Sequence, residues 1–171
     1  MAGPRPDIGP FEAGVVVPPT RSADAAGLTA ASRRWGNRLI VTGGVLSALN
    51  GAAHLLLPLY LPWGDHVEGL YPPVSWALYA TTVFFGVLLT LAGVLVSVVA
   101  RADDVPSRVV TWVVAGLAGF WAVGAGYELV VPFPAPVAAW VLPLFSVVVA
   151  LLLVVGLWLR RPASTADDPG R

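Results

Sequence analysis

Residues 74–100 read VSWALYATTVFFGVLLTLAGVLVSVVA and contain no charged side chain. A helix needs about 20 apolar residues to cross a hydrocarbon core about 30 Å thick. This segment exceeds that length, which implies tilt or an interfacial extension. The strands of a membrane barrel are about half as long and alternate between apolar and polar residues. This segment is longer and apolar throughout most of its length. It therefore predicts a transmembrane helix.

Three further apolar segments accompany it: residues 39–61, 109–131 and 137–159. The whole chain has 57% hydrophobic and 12% charged residues and a mean hydropathy of +0.77, whereas soluble domains carry about 25% charged residues. The sequence thus predicts an all-α integral membrane protein, with four transmembrane helices in a compact bundle over residues 37–161.

The flanking segments, residues 1–36 and 162–171, are rich in Pro, Ala and Gly and lack sustained periodicity. They are expected to be disordered tails, because they cannot bury enough apolar surface to offset their ordering entropy. The chain has no Cys and a formal net charge of zero. This composition excludes disulfides and thiolate metal sites, and it offers no basic excess for binding nucleic acid.

The arginines fall on alternate sides of the four segments. They precede the first, lie between the second and third, and follow the fourth, whereas residues 62–73 and 132–136 contain none. The positive-inside rule therefore predicts that both termini and the middle loop are cytoplasmic. All basic residues are Arg, and Ala, Val, Gly and Pro are abundant. We interpret this composition as that of a GC-rich bacterial genome, which predicts a bacterial cytoplasmic membrane protein.

The two halves of the chain resemble each other. The first segment ends in His54-Leu-Leu-Leu-Pro58 and the third in Glu128-Leu-Val-Val-Pro132. Each of these two segments begins just after an arginine, Arg38 or Arg108. The resemblance favours two tandem helical hairpins, related by an axis along the membrane normal.

Small and polar residues form stripes that predict the packing faces, because helices in lipid associate through small residues and polar contacts. The first stripe comprises Gly43, Ser47, Asn50, Gly51 and His54; the second Ser75, Tyr79, Thr82, Gly86, Thr90, Gly93 and Ser97; the third Ala118, Ala122 and Gly126. The three stripes are expected to face one another. The fourth segment is the most uniformly apolar and is expected to be the most exposed to lipid.

If the stripes meet, a polar pocket opens at the outer end of the bundle. Its candidate residues are Asn50, His54, Tyr79, Thr82 and Glu128. An ionisable residue at membrane depth is a functional hypothesis by default, and a histidine can relay protons near neutral pH. The alternative is that His54 is an interhelical packing contact and Glu128 an ordinary acid at the headgroup level.

A metal site would draw on the chain's few nitrogen and oxygen ligands. The candidates are His54, Asp65, His66, Glu68 and Glu128. Their spacing matches no diagnostic motif, and a bis-histidine haem would require His66 to reach inward from a loop. No cofactor is predicted, with haem, quinone or a divalent metal kept as alternatives.

The sequence favours an accessory or structural subunit, either self-associating or bound to other membrane proteins, because it has small-residue faces and no recognisable catalytic motif. The first alternative is a transporter or proton-coupled channel using the pocket around His54 and Glu128. The second is a membrane oxidoreductase, or a haem-, quinone- or metal-binding protein.

Overall fold

The computed structural model describes Gly3, residues 21–60, Val67 and residues 69–161, and the last three of its four long helices match the predicted segments closely. The helices are α1 (Arg21–Tyr60), α2 (Pro72–Val99), α3 (Ser107–Val130) and α4 (Ala138–Arg160). All four are long and apolar enough to cross a membrane. The prediction of an all-helical chain with four long apolar helices is confirmed for the described residues.

Prolines mark where the middle helices begin. Pro72 and Pro73 occupy the first turn of α2, and Pro106 immediately precedes α3. A proline is tolerated there because the first N–H groups of a helix have no partner within the helix. The starts of α2 and α3 are therefore set by these prolines together with the limits of the apolar segments.

The first helix starts much earlier than predicted. It begins at Arg21 and has 40 residues, or about 60 Å at ~1.5 Å per residue. The expectation of a disordered tail was therefore wrong for residues 21–36. This segment is rich in Ala, the strongest helix former, and it extends an existing helix without a new nucleation step. Most of residues 1–20, and all of 162–171, lie outside the described residues.

Helices α1 and α2 approach each other through glycines. A Cβ atom added at Gly51 would lie 2.7 Å from the carbonyl oxygen of Gly86, and one added at Gly93 would lie 2.5 Å from the backbone nitrogen of Ala48. The Thr90 hydroxyl donates to the carbonyl of Gly86 in its own helix, at 2.7 Å. Gly51 of the first predicted stripe therefore meets Gly86 and Thr90 of the second, whereas Gly43 lies against Leu153 of α4 and Ser47 accepts a hydrogen bond from Trp121 of α3.

Helix α4 packs against both α1 and α3, so the expectation that it is the most lipid-exposed helix was wrong. Its buried residues include Ser146, Leu153 and Gly156. A Cβ atom added at Gly36 would lie 2.7 Å from the carbonyl oxygen of Gly156. The buried face of α4 thus includes the small residues Ser146, Ala150 and Gly156, and at Gly156 its backbone lies close to that of α1.

Helix α3 packs mainly against α4 and touches α2 only lightly. Its buried face combines large side chains, including Val114, Leu117 and Trp121, with the alanines Ala118 and Ala125. Of the residues predicted to face the other helices, Ala118 is buried, but Ala122 and Gly126 are exposed. The prediction for α3 was therefore wrong in part, because large side chains make many of its contacts and part of the small-residue stripe is exposed.

Candidate functional site

The His54 side chain is bonded within its own helix. Its Nδ1 lies 2.9 Å from the backbone oxygen of Asn50, and because a carbonyl only accepts, this contact places the proton on Nδ1. The half-buried ring packs on Phe85 of α2, with ring centroids 4.9 Å apart. The His54 ring therefore makes a contact between α1 and α2.

The Glu128 carboxylate is bonded across the other helix pair. The Ser146 hydroxyl of α4 donates to its Oε2 at 2.9 Å, and Glu128 is half-buried. Among the described residues no hydrogen bond or ion pair joins Glu128 to His54. The structure therefore divides the two ionisable residues of the predicted pocket between the α1–α2 and α3–α4 contacts.

The remaining candidates of the predicted pocket lie on α1 and α2. The Thr82 hydroxyl donates to the carbonyl of Leu78 in its own helix, at 2.9 Å. Thr82 also lines a shallow, mostly apolar groove along α2 together with Tyr71. Asn50 and Tyr79 are half-buried. The side-chain hydrogen bonds of His54 and Thr82 thus end on carbonyl groups of their own helices.

Metal binding finds little support in the described part of the chain. No group of three or more potential metal ligands occurs there. Of the candidate ligands, His54 and Glu128 are described and belong to separate helix contacts. Asp65, His66 and Glu68 lie outside the described residues.

No protein-family model, curated protein or solved structure matches this chain.

The most buried polar contact is one that the sequence did not predict. The Trp121 indole N–H of α3 donates to the Ser47 hydroxyl at 2.8 Å, and the Ser47 hydroxyl donates to the carbonyl of Gly43, also at 2.8 Å. Ser47 is 0% exposed and Trp121 5%. A buried tryptophan needs a partner for its N–H, and this pair supplies one while linking α1 to α3.

Trp121 also belongs to a row of rings that crosses all four helices. The row runs from His54 through Phe85, Phe120 and Trp121 to Phe145, with successive centroids 4.9 to 5.7 Å apart. Tryptophans in membrane proteins concentrate at the interfaces, whereas Trp121 lies in the middle of an apolar segment. That position was the one available sequence signal for a buried indole, and it could not identify the serine that accepts from it.

Proposed function

We propose that this chain is a small multi-pass protein of a bacterial cytoplasmic membrane, with both termini cytoplasmic, and that it acts as an accessory or structural subunit of a membrane assembly. In this role α3 packs against a transmembrane helix of a second copy or of a larger partner. The observation that carries the proposal is the open, glycine-rich face of α3.

The glycines of α3 differ from those of the other membrane-crossing segments. Added Cβ atoms at the glycines of α1 from Gly36 onward, and at those of α2 and α4, would all meet a neighbouring helix within 3 Å. Added Cβ atoms at Gly116, Gly119, Gly124 and Gly126 would meet nothing within 4 Å among the described residues. Glycine lowers helix stability by about 1 kcal/mol relative to alanine, and the described helices provide no packing reason for these four. Of them, Gly119 and Gly126 lie on one exposed side of α3.

The exposed face of α3 has the form of a helix-packing surface. Ala115, Gly119, Ala122 and Gly126 are all exposed and recur at alternating spacings of four and three, which places them on one side of the helix. In lipid, such small-residue faces allow helix backbones to approach closely. Exposed Trp112 lies on the same side and provides a large apolar side chain at the edge of the face.

The orientation is supported by the arginines. Arg33 and Arg34 of α1 border the same cavity as Arg160 and Arg161 at the end of α4. Charges that are distant in sequence therefore gather at one end of the helices. The positive-inside rule assigns that end to the cytoplasm.

Energy transfer between labelled full-length chains in lipid vesicles tests the association. The variant Gly119→Leu/Ala122→Leu fills the open face and is expected to abolish most of the transfer, or to abolish co-purification if the partner is another protein. The matched control is Ala53→Leu, which enlarges an exposed alanine of α1. A wild-type chain that is monomeric and partnerless in mild detergent and in vesicles, or equal losses in variant and control, would contradict the proposal.

The transporter and oxidoreductase alternatives are not proposed. The transporter reading relies on His54 and Glu128 acting in one pocket, and each of these residues has its hydrogen bond elsewhere. The oxidoreductase reading relies on a cofactor near His54, whose ring packs on Phe85. No specific contact of the described residues favours either activity over the subunit role.

A further inference from the structure

The arginine-rich end of the helices encloses a cavity of about 1140 Å³. Its walls come from the N-terminal part of α1, the start of α3 with the preceding loop, and the C-terminal end of α4. The charged or amide-bearing residues that line it are Arg33, Arg34, Asn37, Asp103, Arg160 and Arg161. Three separate segments of the chain therefore contribute to one basic cavity.

The charges in this cavity are strongly unbalanced. Within the described part of the chain, four arginines and one aspartate, Asp103, line this cavity, and none of these arginines forms an ion pair there. Arg33 and Asp103 are the two charged groups that act on Arg160 most strongly. A cleft lined by charges of one sign concentrates ions of the opposite sign. The cavity therefore favours an anionic ligand.

Two buried polar atoms on the wall have no partner among the described residues. They are Nη1 of Arg160 and Oδ1 of Asn37. A buried guanidinium nitrogen without an acceptor is unfavourable, and the planar guanidinium group matches the geometry of phosphate oxygens. Because both atoms are buried, an anion in the cavity supplies an acceptor for Arg160, and a hydroxyl on the same ligand supplies a donor for Asn37, when these side chains turn toward the cavity.

The cavity also has an apolar border. Leu28, Leu157 and Trp158 contribute to its lining, and Trp158 is 65% exposed at the end of a membrane-crossing helix. Tryptophan at such a position marks the headgroup level of a bilayer. A ligand that combines a phosphate group with acyl chains would meet both the basic and the apolar parts of this wall.

We infer that this cavity is a binding site for the phosphate group of an anionic phospholipid, with a hydroxylated headgroup such as glycerol fitting it best. Basic pockets between helices at the cytoplasmic side of a membrane bind anionic headgroups through the same chemistry. The inference concerns the arginine-rich end alone and does not depend on association through α3.

The test measures lipid binding to the purified full-length chain by native mass spectrometry. The probes are short-chain phosphatidylglycerol, phosphatidylcholine of the same acyl length, and inorganic phosphate. The cavity variant is Arg33→Gln/Arg160→Gln. The matched control is Arg101→Gln/Arg108→Gln, which removes the same charge from exposed positions that do not line the cavity.

Phosphatidylglycerol is expected to bind wild type and control equally well, and the cavity variant at least about tenfold more weakly, because each arginine contributes about 1 kcal/mol. If the cavity variant does not fold, Arg33→Gln alone, at an exposed position, is compared with Arg101→Gln. Equal binding of phosphatidylcholine, or equal weakening in both double variants, would overturn the site. Displacement of the lipid by inorganic phosphate at the same concentration would assign the cavity to free phosphate and overturn the lipid ligand.

Discussion

The close approach of α1 and α2 makes the same substitution act in opposite directions at two glycines. A Cβ atom at Gly51 would lie 2.5 Å from the backbone nitrogen of Thr90 and 2.7 Å from the carbonyl oxygen of Gly86, whereas ordinary contacts begin at 3.4 Å. Rotation of a side chain cannot relieve either backbone contact. In Gly51→Ala the two helices must therefore separate locally by roughly 1 Å, as overpacked cores do. In Gly124→Ala nothing lies within 4 Å of the new methyl group.

The magnitudes follow from two effects. Overpacking costs about 1–3 kcal/mol, and because backbone rather than side chains must move, we take about 2–3 kcal/mol for Gly51→Ala. Replacement of glycine by alanine in a helix returns up to about 1 kcal/mol. We expect Gly51→Ala to lower the free energy of unfolding by about 1–2 kcal/mol. We expect Gly124→Ala to leave it unchanged or to raise it by up to about 1 kcal/mol.

Reversible unfolding of the purified chain in mixed micelles, with increasing amounts of a denaturing detergent, measures both changes. Circular dichroism and tryptophan fluorescence should give coincident transitions, so that a two-state free energy applies. A Gly51→Ala variant as stable as wild type, or equal changes in the two variants, would refute the described backbone contact between α1 and α2.

Three further predictions concern the buried contacts and the orientation. Ser47→Ala should lower the free energy of unfolding by about 1–2 kcal/mol, because a buried indole N–H loses its acceptor; in a double-mutant cycle with Trp121→Phe the two effects should be non-additive. His54→Phe should change the free energy of unfolding by less than about 1 kcal/mol, because the ring packs on an aromatic neighbour and its bond stays within its own helix; a loss above about 2 kcal/mol would reveal a polar contact that matters more. A single cysteine at Ser107 should be protected from an impermeant maleimide in intact cells and one at Ala135 should react, and the reverse pattern would invert the orientation.

The helix bounds could be read from the sequence because one physical length fixes them. A bilayer core about 30 Å thick requires about 20 apolar residues, and the prolines near α2 and α3 mark where those helices begin. The same reasoning placed the start of the first segment at residue 39. The apolar length sets no limit on a helix that continues past it, and residues 21–36 form helix through their alanines and their contact with α4, where Ser32 donates to the carbonyl of Leu159.

Which helix faces meet could be predicted only where both partners present small residues. That condition holds for α1 and α2, whose glycines meet at Gly51 and Gly86. It fails for α3, where a small-residue face resembles an internal packing face in sequence and yet is exposed. The sequence analysis placed His54 and Glu128 in one pocket, whereas their hydrogen bonds lie in separate helix contacts. Their relative position depends on how each helix is rotated, and a shift of one residue along a helix changes the direction of a side chain by about 100°.

The open face of α3 and the arginine cavity are separate features, and this separation makes a last prediction. The cavity is built from α1, the start of α3 as far as Thr111, and α4, whereas Gly119 and Ala122 lie about two to three turns further along α3. Changes at sites that far apart and without shared contacts are usually additive. Arg33→Gln/Arg160→Gln should therefore leave energy transfer between chains unchanged, and Gly119→Leu/Ala122→Leu should leave phosphatidylglycerol binding unchanged. Loss of both properties in either variant would contradict this independence and would mean that lipid binding and association between chains depend on each other.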